Sequence, residues 1–135
     1  MPSDLGSNWN NRAVLLFRIL ISGELIIVHG LKKIGVGIAQ AEVVPNPLGL
    51  PEMLNQVFAT GANIVCPLLI ILGLFTRLAA IPIVAVTLTG YFVVHGNDSL
   101  LERDIPFMFS VAFLFIIAVG PGRYSIDNKF FIPSI

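Results

Sequence analysis

Several polar residues interrupt otherwise apolar segments of this chain, and Glu24 is the most informative of them. At 1.5 Å per helical residue it lies about 18 Å from Arg12, near the middle of an apolar run. An acid at that depth in a bilayer costs roughly 3 kcal/mol, and such residues usually face a bundle interior. Glu24 therefore either handles a proton or binds a ligand, or it makes a structural hydrogen bond to a neighbouring helix.

Polar residues from other apolar segments fall at similar depths when four antiparallel helices are counted from one end. The residues at about 18–26 Å are the pocket candidates, namely Glu24, His29, Asn63, Tyr91, His95 and Asp104. Such a layer could hold a quinone head group, whose carbonyls need hydrogen-bond donors, or it could link the helices to one another. We expect Glu24 and Asn63 to point into the bundle, where Asn63 can donate its amide to Glu24 if their two helices touch. Pro67 cannot donate to the Asn63 carbonyl, which predicts a kink and an unused acceptor there.

The remaining candidates have simpler interpretations. His29 and His95 could ligate a haem iron, although a histidine at a helix end is ordinary, and we expect no metal site. The single cysteine, Cys66, excludes an internal disulfide and is expected to serve packing. Arg18 lies 120° around the helix from Glu24, so we expect it to reach the headgroups as an anchor, as we do Arg77.

The elements that position these residues follow from composition. Hydrophobic residues make up 56% of the 135 residues, charged residues 12%, and the mean hydropathy is +0.88. This composition predicts an all-α integral membrane four-helix bundle with up-down-up-down topology and a single domain, 1–135. The predicted spans are 13–31, 54–75, 78–95 and 104–120. A net charge of zero and the lack of a binding motif argue against a nucleic-acid partner.

The connections between the spans differ in length. A tight turn at Thr76 and Arg77 predicts a helical hairpin between spans two and three. The long loop 32–53 is predicted to be extracytoplasmic, with Pro45 to Pro51 ordered against the outer face of the bundle.

The last span and the basic residues complete the topology. Gly120-Pro121-Gly122 should stop the last span, and Ser125 and Asp127 should cap a short turn in the tail. Basic residues slightly favour cytoplasmic termini; those on the side of the termini are Arg12, Arg77, Arg123 and Lys129, against Lys32, Lys33 and Arg103 in the loops.

Five features, in order along the chain, together resemble the DoxX family of small bacterial membrane proteins. They are Arg18, His29 to Lys33, Leu72 to Ala80 (LGLFTRLAA) and Gly120 to Asp127 (GPGRYSID), with Gly49-Leu50-Pro51 in the loop. The resemblance implies a four-helix bundle in a prokaryotic plasma membrane, and the best-known members look like membrane subunits of thiosulfate:quinone oxidoreductase. The family commonly has a glutamate where this chain has Asn63, so a mechanism needing that carboxylate is in doubt here.

The leading functional hypothesis is a membrane subunit of a quinone-linked oxidoreductase complex, which is not active alone and supplies an anchor and a quinone pocket. The chain has no recognisable motif for flavin, haem c, an iron–sulfur cluster or nicotinamide, so another subunit would bring the electrons. The partners expected are therefore the lipid bilayer and other subunits of a membrane complex. The alternatives are a structural or assembly subunit without chemistry and a small transporter or solute-binding protein.

Overall fold

The computed structural model describes residues 4–41 and 43–130, and all regular structure within them is helical. Residues 1–3 of the predicted polar tail, Glu42 in the long loop and residues 131–135 lie outside the described residues. The α-helices are α1 (Asp4–Glu24), α2 (Leu31–Lys33), α3 (Glu52–Asn63), α4 (Val65–Leu72), α5 (Thr76–Thr89), α6 (Asp104–Val119) and α7 (Ile126–Phe130). Two π-helical turns, Leu25–Gly30 after α1 and Gly90–Val94 after α5, continue their helices.

Three helical stretches are long and apolar enough to cross a bilayer. They are Asn8–Lys33 with 26 residues, Glu52–Leu72 with 21 and Thr76–Val94 with 19, while α6 is apolar but shorter at 16 residues. Their outward faces expose large apolar side chains such as Leu20, Ile27 and Phe92. Because lipid rather than water is the favourable solvent for such faces, the chain is an all-helical membrane protein.

The first helix begins at Asp4, ahead of the predicted start of the membrane span at residue 13. No glycine or proline occurs between Ser7 and Ser22, so nothing in the polar segment around Asn8 to Arg12 stops the helix.

The second stretch breaks at Ile64, whose φ and ψ are −126° and −59°. Pro67 lacks the N–H that would bond to the Asn63 carbonyl, so the predicted kink is confirmed. Gly30 lies against this carbonyl so closely that a Cβ atom on Gly30 would overlap the Asn63 oxygen. A glycine at this position therefore lets the first and second stretches touch at the break.

The reversal between α4 and α5 lies at Gly73–Phe75. Gly73 ends α4 in the left-handed conformation (φ 75°), and Phe75 is left-handed as well (φ 50°). The predicted turn at Thr76 and Arg77 is thus displaced, because Gly73 stops the first helix and both residues already belong to α5.

The buried core lies where α5 packs on α6, with contributions from the first stretch and α4. Ala79 and Ala80 on α5 are small enough to allow close approach of the helices. The buried apolar cluster consists of Leu25, Ile70, Ala79, Ala80, Ile83, Val84, Phe109, Phe113 and Ile116.

Candidate functional site

A cavity of about 430 Å³ lies near the end of the helices from which the long loop emerges. Its walls come from the first π-helical turn, α3, the end of α5 with the second π-helical turn, and the start of α6. Loop residues from Val44 to Leu50 complete the lining. Most lining side chains are apolar, as is usual for sites that bind small molecules.

Two hydrogen bonds shape the loop internally, and a third joins it to α3. The Asn46 side chain donates to the Leu50 carbonyl (2.6 Å) and accepts from the Leu50 N–H (3.0 Å). Asn55 on α3 donates from Nδ2 to the Pro45 carbonyl at 3.0 Å. The expected contact of this segment with the bundle is seen at Pro45, which bonds to α3, and at the loop residues that form one wall of the cavity, although Leu48 stays 65% exposed.

Three of the six pocket candidates line the cavity: His29, Asn63 and His95. Asn63 is 6% exposed and donates from Nδ2 to the Ala59 carbonyl at 2.8 Å. The His29 ring packs edge-on against Phe109, with 5.4 Å between ring centroids. His95 places Nδ1 at 2.7 Å from Asp98 Oδ2, which fixes the orientation of its ring.

The π-helical turns position both histidines. His29 is the fifth residue of Leu25–Gly30, and His95 follows Gly90–Val94, with its N–H bonded to the Gly90 carbonyl at 2.9 Å. Single π-helical turns of this kind occur frequently at functional sites. The sequence offers no sign of them, since apolar periodicity does not distinguish a π-helical turn from an α-helical one.

Hydroxyl groups also reach this part of the bundle, and the sequence reasoning missed them. Thr87 lines the cavity, and its hydroxyl lies 2.8 Å from that of Ser110 on α6. Ser110 also bonds to the Pro106 carbonyl at 2.7 Å, one helical turn earlier. Their spacing on α5 and α6 could have suggested an interhelical pair.

The other three pocket candidates do not line the cavity. Glu24 is exposed and forms no hydrogen bond or ion pair with the described residues, so the expectation that it faces the interior is wrong. Asn63 does point into the bundle, but its amide donates to Ala59 and not to Glu24. Its neighbour Leu25, about 100° further around the helix, occupies the core position at 2% exposure. Tyr91 instead packs beneath the Arg103 guanidinium, 4.5 Å from the ring centroid, and Asp104 is exposed at the start of α6.

At the opposite end of the bundle, Arg18 is 1% exposed and donates to four backbone carbonyls. Two belong to the end of α4, Ile70 (2.9 Å) and Ile71 (3.0 Å). The other two belong to the tail, Pro121 (2.6 Å) and Tyr124 (2.9 Å). The expectation that Arg18 reaches the headgroups is therefore wrong, because its guanidinium instead joins three parts of the chain inside the protein.

Asp127 completes this arrangement from the tail. Its carboxylate, 6% exposed, accepts from the N–H groups of Phe75 (2.7 Å) and Thr76 (2.8 Å), which have no partner within their helix. Asp127 thus caps α5. The expectation that it caps its own tail turn is wrong. Ser125 does cap the tail turn, since its Oγ accepts from the Asn128 N–H at 3.1 Å.

These contacts bring together Arg18, the hairpin and the Gly120 to Asp127 segment. Gly73 lies at the centre: a Cβ there would be 2.8 Å from Ser125 Cα and 2.9 Å from Arg18 Nη2. Arg77 is exposed, with Nη2 3.5 Å from the Ala118 carbonyl, and its anchoring role stays a prediction.

Within residues 4–41 and 43–130, no group of three or more His, Cys, Asp or Glu side chains is placed to hold a metal ion.

Comparison with known proteins gives a family and two relatives. The family model described as DoxX matches residues 13–96, which include Arg18 and the cavity residues His29, Asn63 and His95. An uncharacterized protein of Haemophilus influenzae is 30% identical over 124 residues, covering 87% of this chain and 90% of that protein. A second uncharacterized protein of the same organism is 27% identical over 89 residues, covering 62% of this chain and only 59% of that protein. No solved structure matches this chain.

Proposed function

Because this chain belongs to the DoxX family of membrane proteins, we propose that it is a membrane subunit of a quinone-linked oxidoreductase complex and that its cavity binds the quinone. The cavity of about 430 Å³ carries the proposal. It is within the range of roughly 300–1,000 Å³ for small-molecule sites, and its apolar walls suit a lipophilic ring and the start of an isoprenoid tail.

The polar residues of the cavity suit the two ends of a quinone ring. With Nδ1–H donated to the Asp98 carboxylate, Nε2 is left for a ligand, and it can donate to a ligand carbonyl when the ring carries its second proton as an imidazolium. Asn63 is bonded through Nδ2 to Ala59, so its Oδ1 is the atom suited to accept from a quinol hydroxyl. Lys33 also lines the cavity, with Nζ 3.2 Å from the His29 carbonyl, and the few polar groups of this largely apolar wall would orient the ring.

In this proposal the complete reaction needs a partner subunit. The partner supplies two electrons from its own substrate, and the quinone takes them up with two protons to become the quinol. His95 donates one of these protons from Nε2. Its side chain is 41% exposed on the loop side, so water can replace the proton, and the second proton enters by the same side.

The proposal also includes the topology. We propose that α6 crosses the bilayer as a fourth span in an up-down-up-down bundle, with both termini in the cytoplasm of a prokaryote. Its 16 residues extend about 24 Å, which local thinning of the bilayer accommodates. The cavity then lies in the outer leaflet, beneath the loop.

Filling the cavity tests the binding step. Ala59 is buried and lines the cavity, so Ala59→Leu should weaken binding of a short-tailed benzoquinone to the purified protein at least about tenfold. The matched control, Ala118→Leu, adds the same atoms at an exposed position on α6 and should bind as the unmodified chain does. Binding is measured by equilibrium dialysis in mild detergent, and thermal unfolding confirms that each variant is folded.

Removing the ligand nitrogen tests the polar contact. His95→Phe keeps a ring but loses Nε2, and should weaken binding about tenfold through loss of one hydrogen bond. If the unmodified chain binds no quinone, or if Ala59→Leu binds as tightly as the control, the cavity is not a quinone site. Retained assembly with a partner complex in that case would support the structural-subunit alternative.

A further inference from the structure

The exposed acid in the first membrane-spanning stretch requires an explanation that the cavity does not provide. Glu24 is the seventeenth of the 26 residues of Asn8–Lys33, so it lies well inside the apolar part of the stretch. It is exposed and makes no hydrogen bond with the described residues. A carboxyl group in hydrocarbon without a hydrogen-bond partner is strongly unfavourable, which means that something covers this face in the membrane.

We propose that this face of the first stretch is the interface of a parallel homodimer in which the two Glu24 carboxyl groups bond to each other. The proposal does not depend on the quinone hypothesis, because Glu24 does not line the cavity.

The arrangement of residues around Glu24 favours a helix as the covering element. Leu16, Leu20, Gly23 and Ile27 follow one another at spacings of four, three and four, which is the pattern of a helix–helix seam. The three large residues of this seam are 57%, 63% and 68% exposed. A Cβ built on Gly23 would meet nothing within 4 Å, so this glycine leaves room for close approach by another helix.

The chemistry of a carboxyl group favours a second copy of this chain as that partner. An uncharged carboxylic acid has one donor and an acceptor oxygen, so two of them satisfy each other. All copies that insert with the same topology place Glu24 at the same depth, and a two-fold axis along the membrane normal brings the two groups together. The apolar residues above and below would then pack against their own counterparts.

Cysteine cross-linking in native membranes tests the interface. In a background where Cys66 is replaced by alanine, Ile27→Cys should form a disulfide-linked dimer on mild oxidation. The control, Val111→Cys, is also exposed and lies at a similar distance from the loop end, but on α6, and should stay monomeric. Absence of the Ile27→Cys dimer would overturn the proposal.

Substitutions of Glu24 test the carboxyl pair. Glu24→Gln keeps a donor and an acceptor and should leave the monomer–dimer equilibrium nearly unchanged, whereas Glu24→Leu should weaken association about tenfold. Association is measured by energy transfer between labelled copies in bilayers of phosphatidylcholine. Equal association of Glu24→Leu and the unmodified chain would overturn the pair. Loss of a different co-purifying protein in Glu24→Gln would also overturn it, by showing that a cationic partner covers this face. Neither result bears on quinone binding, which is measured separately on Ala59→Leu.

Discussion

Replacing Arg18 by methionine should be among the most damaging single substitutions in this chain. The guanidinium is 1% exposed and donates to four carbonyls at 2.6–3.0 Å, and its charge is also attracted by the buried Asp127. Methionine fills a similar volume but offers no donor. All four carbonyls therefore lose a strong, charge-assisted bond. The Ile70 carbonyl still accepts a hydrogen bond from the Gly73 N–H at 3.0 Å.

The magnitude follows from these bonds. At about 1 kcal/mol net for each of four hydrogen bonds, Arg18→Met should lower the free energy of unfolding by about 4 kcal/mol. This agrees with the roughly 3–5 kcal/mol expected when one member of a buried charged group is removed. Arg18→Lys keeps the charge, but a single ammonium cannot reach both the end of α4 and the tail, so about 2 kcal/mol should be lost.

Unfolding by sodium dodecyl sulfate in mixed micelles, followed by circular dichroism, measures these changes. The reaction of a thiol-specific dye with Cys66, the only cysteine, reports the same transition independently. Arg12→Met provides the matched control, because Arg12 is exposed on the same helix and its loss should change stability by less than about 0.5 kcal/mol. An effect of Arg18→Met below about 1 kcal/mol would refute the assignment of Arg18 as the link between hairpin and tail.

Further measurements address the same end of the bundle and the topology. Asp127→Asn should cost about 2 kcal/mol of unfolding free energy in the same micelle assay, because an amide oxygen can serve only one of the two N–H groups that the carboxylate accepts. Gly73→Ala should cost about 3 kcal/mol and Gly37→Ala only about 1 kcal/mol, since both glycines have positive φ but only Gly73 is enclosed by neighbouring atoms; equal losses would contradict the packing described. In a cysteine-free background, a membrane-impermeant maleimide should label Asn97→Cys but not Lys129→Cys in intact cells, and the opposite pattern would reverse the proposed orientation.

Features that depend on distance along one helix were predictable from the sequence. Apolar length located the membrane-crossing stretches, and Pro67 located the break before it because the missing N–H acts on a neighbour four residues away. Counting residues placed six polar side chains at depths of roughly 18–26 Å, and three of them, His29, Asn63 and His95, line one cavity. Depth is a local quantity, since each helical residue advances by a fixed rise.

Features that depend on rotation around a helix or on distant segments were not predictable. Whether Glu24 or Leu25 faces the core depends on which helices pack against that stretch, and the prediction chose the wrong one of the two. The partners of Arg18 in the tail are 103 and 106 residues away, so no local pattern reports them. The motifs Leu72 to Ala80 and Gly120 to Asp127 were visible as separate signals, but the contact between them was not.

The long separation between Arg18 and its tail partners has a consequence for biogenesis. The first stretch enters the membrane while Pro121 and Tyr124 have yet to be synthesised, so the nascent chain carries a cation whose final acceptors do not exist. Until then the arginine must be hydrated at the membrane surface or held by the insertion machinery. The charge of Arg18 is therefore removed from water only when the tail packs over the hairpin. The folded state in the bilayer becomes stable once the tail has been synthesised.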